Sequence, residues 1–269
     1  MSDTHDYLVE PHSKVKLSKY DPDDRGDFEE KEEAEKETAK LLAKLQELQG
    51  LLYAESKHAL LVVFQAMDAG GKDGAIRTVF SGVNPQGCMV HSFKKPSDLE
   101  MQHDFIWRCH MRCPSKGMIG IFNRSHYESV LIERINKIVP EKVWKKRYGH
   151  IADFEEMLSE EGTVVRKFFL HISKEEQRER LQARLNDPSK NWKFASSDLA
   201  VREQWDDYID AYEDLLGRTS TEHAPWYVIP ANKKWYRNYL IADVLVRTLK
   251  ELDMKYPPAE KGLDKVVVK

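Results

Sequence analysis

Residues 59–83 read ALLVVFQAMDAGGKDGAIRTVFSGV: an apolar run, then a short loop carrying Asp68, Gly70, Gly71 and Lys72, then helix-forming residues. Strand, glycine loop with lysine, and helix in that order make an anion site. Paired glycines let successive amide N–H groups turn toward one concavity, and the following helix adds its positive end. Ala69, Gly70, Gly71, Asp73 and Gly74 would supply that backbone cradle, and Lys72 a point charge able to reach between phosphates. The phosphate-loop pattern G-x-x-x-x-G-K-[ST] is matched only in part, with Ala66 at the first glycine and Asp73 in place of the hydroxyl residue. A carboxylate among phosphates is unfavourable unless a cation lies between them. Asp68 is therefore expected to hold a hard divalent ion such as Mg²⁺.

A second constellation follows the apolar run MIGIF at 118–122, which stops at Asn123-Arg124-Ser125-His126-Tyr127-Glu128. Asn123 offers a neutral ligand. The Arg124 guanidinium can grip a phosphoryl group in bidentate fashion, or form a structural ion pair. Glu128 and Arg134 fall on the helix after it, facing either the site or solvent. A third group lies in KEEQRERLQARLNDPSKNWKF. Arg180 and Arg184 are spaced i,i+4 on one helix face, and Lys190 and Lys193 follow the break at Asn186–Ser189. Basic residues on a helix–loop element suit a lid closing over a polyanion. The interleaved Glu175, Glu176 and Glu179 leave open a plain solvated face. Lys94, Lys95 and Arg77 could extend the basic path. Trp107, Tyr127, Trp192 and Trp235 could stack on a base, though each is as readily a core residue.

These residues need a frame that brings them to one edge. Strand-length apolar runs recur at 59–66, 88–93, 118–122, 164–172 and 226–230. Helix-like stretches lie at 73–83, 97–111, 125–139, 174–185, 198–217 and 233–253. Alternation of this kind predicts an α/β fold: a doubly wound, parallel five-stranded sheet with helices on both faces and ligands at the carboxyl ends of the strands. The expected division is an extension over 1–57, a main domain over 58–256 with a lid at about 178–198, and a tail over 257–269 stopped by Pro257 and Pro258. Residues 1–27 are polar and irregular. From Phe28 to Lys57, Leu41, Leu45, Leu48 and Leu52 form an apolar stripe, too short for a convincing coiled coil and suited to packing on its own domain.

The 269 residues carry 42 Lys and Arg against 45 Asp and Glu, a net charge of −3, which argues against a generic polyanion binder while permitting a local basic groove. Three cysteines make no disulfide scaffold, and no apolar run approaches the ~20 residues of a membrane span. An N-terminus acidic where a signal peptide is basic points to the cytoplasm. His103, Cys109, His110 and Cys113 lack the tight pairing of a structural zinc site. Adjacency alone does not make Ser125-His126 a catalytic dyad.

With MDAGGKDG, FNRSHYE and the segment from Arg180 to Phe194 in hand, the chain resembles the polyphosphate kinase 2 family over roughly residues 30–257. The family's strand end reads F-[DN]-R-S-x-Y-[EN], and its lid reads R-x-x-x-R followed by D-P-x-K-x-W-K-F. The resemblance implies a P-loop kinase fold, thymidylate-kinase-like, with a helical lid. It also implies reversible transfer of the terminal phosphoryl group of inorganic polyphosphate to nucleotides with Mg²⁺ or Mn²⁺. By position, Asp68 looks like the metal-organising carboxylate, Lys72 like the loop lysine, Arg124 like the strand-end arginine and Arg184 like the lid arginine. Asn123 with Glu128 is similar to the class III branch, which phosphorylates both AMP and ADP. Adenine nucleotides, with guanine as a further option, and a homodimer or homotetramer are the implied partners. An ATP-dependent nucleoside or nucleotide kinase of the same fold is the alternative activity, and a non-catalytic phosphate-binding scaffold a third.

Overall fold

The strand β1, Ala59–Ala66, is buried along its whole length, as expected of a strand covered on both faces. A computed structural model describes residues 4–195, 197–263 and 266–268. Of the expected tail, 264, 265 and 269 lie outside the described residues, as do 1–3 of the extension and 196 of the lid. Around β1 stand β2 (Cys88–Ser92), β3 (Ile119–Asn123), β4 (Thr163–His171) and β5 (Trp226–Pro230) in the order β2-β3-β1-β4-β5, each pair parallel. The chain leaves β1 for β3 and β2 on one side and later builds β4 and β5 on the other. The loop after β1 therefore sits where the sheet order reverses, the place where open α/β sheets bind ligands. Phe64 pairs with Asn123 and Ala66 with Leu170, so the carboxyl ends of β1, β3 and β4 finish side by side.

The helices are α1 (Lys31–Glu55), α2 (Lys72–Val79), α3 (Trp107–His110), α4 (Glu128–Ile135), α5 (Glu141–Glu160), α6 (Lys174–Asn186), α7 (Ser197–Glu203), α8 (Trp205–Thr219) and α9 (Lys234–Glu251). Three of them depart from the expected pattern. No element was expected over 141–160, yet Tyr148, Ile151, Phe154 and Leu158 form a buried helical stripe there. The expected helix at 97–111 is mostly irregular. A short 3-10 turn forms at Glu100–Gln102, and the Asp104 carboxylate then accepts from the N–H groups of Ile106 and Trp107, an Asx turn that starts the chain afresh and leaves α3 as the one α-helical piece of the stretch. The single helix expected over 198–217 breaks at Gln204, because Trp205 turns into the core while α7 stays outside with the lid.

Helix α1 lies along α9 and contributes Leu45, Leu48 and Leu52 to the main core. The irregular segment before it is also built in. Val9 N–H donates to the Trp226 carbonyl at 2.9 Å, Leu8 bridges Tyr227, and Tyr7, Val9, Val15 and Leu17 are buried. This covers the open edge of β5, whose unpaired backbone would otherwise invite association.

Candidate active site

The loop between β1 and α2 is held from behind by its carbonyl groups. Gln177 donates to the Asp68 carbonyl at 3.0 Å, Arg180 Nη1 to that of Ala69 at 3.1 Å, and Arg237 Nη1 to that of Gly71 at 3.3 Å. The Gly70 amide turns inward to Met67, and Lys72 Nζ folds back to the Ala66 carbonyl at 3.1 Å. Among the described residues the amides of Gly71, Lys72, Asp73 and Gly74 find no acceptor, so the front of the loop is a surface of N–H donors. Gly71 has φ +95, and a Cβ there would lie 2.4 Å from Arg237 Nη1. Gly70 is equally constrained, since its Cβ would meet the Met67 carbonyl at 2.8 Å. Burial, with Arg124 nearby, lowers Lys72 to about 8 against the pull of Asp68, Glu128 and Asp73.

Arg124 stands beside this loop. Its amide extends the sheet by donating to the Phe64 carbonyl, and its φ of +63 turns the chain sharply so that the side chain reaches Asp68 at 2.8 Å and Glu128 at 3.6 Å. Burial works against its charge, but Glu128 and Asp68 outweigh it and raise the guanidinium further. Burial lifts the Glu128 carboxyl above its ordinary range, against the pull of Arg124 and Lys72. The turn is anchored from beneath. Ser125 Oγ accepts from Gln65 and from the Tyr127 amide. Behind it, Glu155 of α5 accepts from Tyr127 Oη at 2.8 Å, from Lys167 Nζ of β4 at 2.5 Å, and lies 3.2 Å from His126 Nε2. Burial opposes the Glu155 charge, yet Lys167 and His126 hold the carboxyl below its ordinary range.

In front of the loop lies a cleft of about 720 Å³ whose walls carry nine cationic side chains against three carboxylates. The chain as a whole is slightly acidic, so this is a local concentration of positive charge. Lys72, Arg124, Arg184 and Lys193 all line it, with Asp68, Ala69, Gly70, Gly71, Asp73, Gly74 and Asn123. The lid leans over it. Arg184 Nη1 is 3.6 Å from Asp198 and 3.4 Å from the Lys193 carbonyl. Lys193 Nζ is 3.8 Å from Asp73, whose other oxygen accepts from Asn123 Nδ2 at 2.7 Å. Arg180 borders the cleft but is committed to Glu176 at 2.7 Å and to the loop. A second, narrow hollow opens on the far side of Asp68 and Arg124, lined also by Glu128, Leu131, Ile132, Tyr208 and Tyr212.

Two expected residues stand elsewhere. Arg134 turns away to Asp214 at 2.7 Å and packs over the Trp144 ring, because α5 and α8 offer it both partners. Arg77 is exposed on α2 and does not line the cleft. Lys94 and Lys95 do line it, as do Lys234 and the exposed Trp192. Gln177, Arg237, Lys234, Tyr208 and Tyr212 reach the site from α6, α8 and α9 without belonging to any local motif. Their only sequence signal is a place near the start of a helix that follows a strand, or on a helix face turned to the sheet edge.

Among the described residues no three His, Cys, Asp or Glu side chains converge to hold a metal on their own. Asp68 borders both hollows, and Arg124 engages only its Oδ1. One carboxylate with a free oxygen, facing a cleft suited to phosphates, matches Mg²⁺, which takes one or two carboxylates plus phosphate oxygens.

The family model described as "Polyphosphate kinase 2 (PPK2)" matches residues 28–257. The AMP/ADP-polyphosphate phosphotransferase of Meiothermus ruber is 54% identical over 263 residues, covering 97% of this chain and 98% of that protein. The ADP-polyphosphate phosphotransferase of Rhodopseudomonas palustris is 46% identical over 266 residues, covering 94% and 92%. The crystal structure of polyphosphate kinase 2 from Arthrobacter aurescens TC1 superposes with a TM-score of 0.91 at 40% identity, over 96% of this chain and 95% of that one. With the family model matching most of the chain and relatives this similar along nearly all of it, the chain belongs to the polyphosphate kinase 2 family.

Proposed function

We propose that this protein is a polyphosphate:nucleotide phosphotransferase that moves the terminal phosphoryl group of inorganic polyphosphate to AMP and to ADP, reversibly. The observation that carries the reading is the cleft itself: nine cations and a rank of free amides along one wall, far more positive charge than a single mononucleotide requires. Polyphosphate would lie along it between the loop and the lid. The acceptor phosphate would meet it at Asp68 and Arg124, which border both the cleft and the narrow hollow beside it. The relatives' names supply the two acceptors.

In the reaction a phosphate oxygen of the acceptor forms a bond to the terminal phosphorus, and the bond to the next bridging oxygen breaks, shortening the chain by one. The attacking oxygen is already ionised near neutral pH, so no side chain need remove a proton. Catalysis reduces to placement and charge stabilisation. The loop amides and Lys72 hold the terminal phosphates, Arg124 and Arg184 neutralise equatorial oxygens, and the lid excludes water. Asp68 would hold Mg²⁺ or Mn²⁺, which supplies Lewis-acid polarisation of phosphate oxygens when bound. We place the enzyme in the cytoplasm as a homodimer or homotetramer. Among the described residues no helix is long and apolar enough to cross a membrane.

The test is to incubate the protein with polyphosphate and Mg²⁺ and with AMP or ADP separately, no ATP being present, and to resolve the products by chromatography. ADP from AMP and ATP from ADP are expected. Turnover that begins only when ATP is supplied would assign the protein to the ATP-dependent kinases instead.

A further inference from the structure

Arg237, near the start of α9, belongs to none of the motifs above and does not line the cleft. It is 2% exposed. Nη1 donates to the Gly71 carbonyl, and Nε and Nη2 both donate to Asn238 Oδ1 at 3.1 and 2.8 Å. No carboxylate comes within ion-pair distance of it among the described residues. Three other buried or half-buried cations around the site are matched, Lys167 by Glu155, Arg180 by Glu176 and Arg124 by Asp68, whereas Lys72 of the loop itself donates only to the Ala66 carbonyl. The charged neighbour of Arg237 is instead a second guanidinium, that of Arg180, and burial together with that neighbour brings Arg237 down to about 10.

A buried charge without a counter-charge is one of the costlier arrangements a fold can hold. The hydrogen bond to Gly71 does not account for it, since a neutral amide could donate to the same carbonyl. The position does account for it. The Nη1 atom sits where a Gly71 side chain would begin, directly behind the loop whose front carries the unpaired amides. Only the backbone separates it from whatever anion the loop holds. Lysines on the cleft wall are solvated and screened, whereas a desolvated guanidinium acts through a low dielectric.

We propose that Arg237 is a positioning residue for the phosphate chain, fixing Gly71 from behind while its unmatched positive charge is compensated by the phosphates bound on the front of the loop. The inference rests on the reading of the cleft as a polyphosphate site. Such a residue weakens the free protein and strengthens the complex, the opposite of a purely structural arginine.

Calorimetric titration with inorganic tripolyphosphate tests it, with thermal melting of each free protein alongside. Arg237→Gln and Arg237→Met should bind at least about tenfold more weakly, ~1.4 kcal/mol, with free-protein Tm no lower than that of the wild type. Arg237→Lys, which restores the charge, should recover most of the affinity. Affinity within about twofold of wild type in both neutral variants overturns the proposal, as does an Arg237→Lys protein no better than Arg237→Gln. So does a fall in free-protein Tm with affinity retained, which would confine Arg237 to the fold. Lys72→Ala is the reference. If it too binds as tightly as wild type, the polyphosphate reading of the cleft fails and the inference with it. If it binds weakly while the Arg237 variants do not, only the inference fails.

Discussion

The titration of Lys72 offers the most direct test of the site. In the free protein burial lowers this lysine from 10.5 to about 8. That difference corresponds to ~3 kcal/mol favouring the neutral amine over the cation. The cationic form, which phosphate needs, therefore dominates below pH 8 and is lost above it. The pH dependence of kcat/KM reports groups of the free enzyme. For a group titrating near 8, kcat/KM for polyphosphate should fall about tenfold from its plateau by pH 9, whereas an unperturbed lysine would leave it nearly flat. Ionisation of the substrate's own end groups would appear equally in any variant, so a variant with a permanently charged residue at 72 isolates the lysine's share of the limb. Bound phosphates stabilise the ammonium, so the falling limb of kcat should lie at higher pH than that of kcat/KM.

The assay is initial rate against polyphosphate concentration between pH 6 and 10 at constant ionic strength, for the wild type and for Lys72→Arg. Arginine stays charged throughout, so the variant should be slower but without the limb near 8. A limb that persists unchanged in Lys72→Arg, or a wild-type profile flat through pH 9.5, would refute the assignment of Lys72 as the phosphate-holding cation.

Three further outcomes follow from the geometry. Arg124→Ala removes a guanidinium from the meeting point of the two hollows and should lower kcat by about 10²–10³ with the far-UV spectrum and Tm nearly unchanged; near-wild-type turnover would release Arg124 from its role. Lys167→Met takes from the buried Glu155 its lysine, leaving it Tyr127 and His126, and should cost about 3–5 kcal/mol in denaturant unfolding, while the double change Lys167→Met with Glu155→Leu should recover most of it; equal losses in single and double variants would contradict the pairing. Gly71→Ala must carry φ +95 and push Arg237 aside, so it should raise KM for polyphosphate several-fold and lower Tm; unchanged kinetics would show that the loop tolerates a second backbone path.

The sheet was legible because each strand is a continuous apolar run. The expected bounds of β1 and β5 coincide with those observed, β2 ends one residue early, and β3 and β4 are each shifted by one residue at both ends. Helices were read less well where polar and charged residues dilute the stripe. In α5, Trp144, Tyr148, Ile151, Phe154 and Leu158 keep helical spacing, but charged residues between them hid it. The stretch 97–111 shows the reverse, for its helix-forming composition was overridden by the local hydrogen bonds of Asp104. The same divide runs through the site. Asp68 and Lys72 lie in the loop and helix start that follow β1, and Asn123 and Arg124 at the end of β3, so all four could be read from the chain. Gln177, Arg237 and the tyrosines of α8 come from far along it, and only the folded arrangement brings them in.

The departures of the loop from the usual phosphate-loop pattern make physical sense once its surroundings are known. Ala66 can replace the first glycine because that position still belongs to the β1 ladder, paired with Leu170 in ordinary extended backbone. The demand for a missing side chain moves to Gly70, whose absent Cβ would lie 2.5 Å from that of Ala66. Asp73 replaces the hydroxyl residue but does not simply add a repelling charge. Its oxygens hold Asn123 at the end of β3 and reach toward Lys193 of the lid. On the proposed reading, a phosphate chain entering the cleft would compete with Asp73 for Lys193, the carboxylate holding the lid lysine beside the cleft until then. The donors Gln177, Arg180 and Arg237 fix the carbonyls of the loop, and with them the direction of its amides. What shapes the donor surface of this loop is thus the set of side chains behind it as much as the glycines within it.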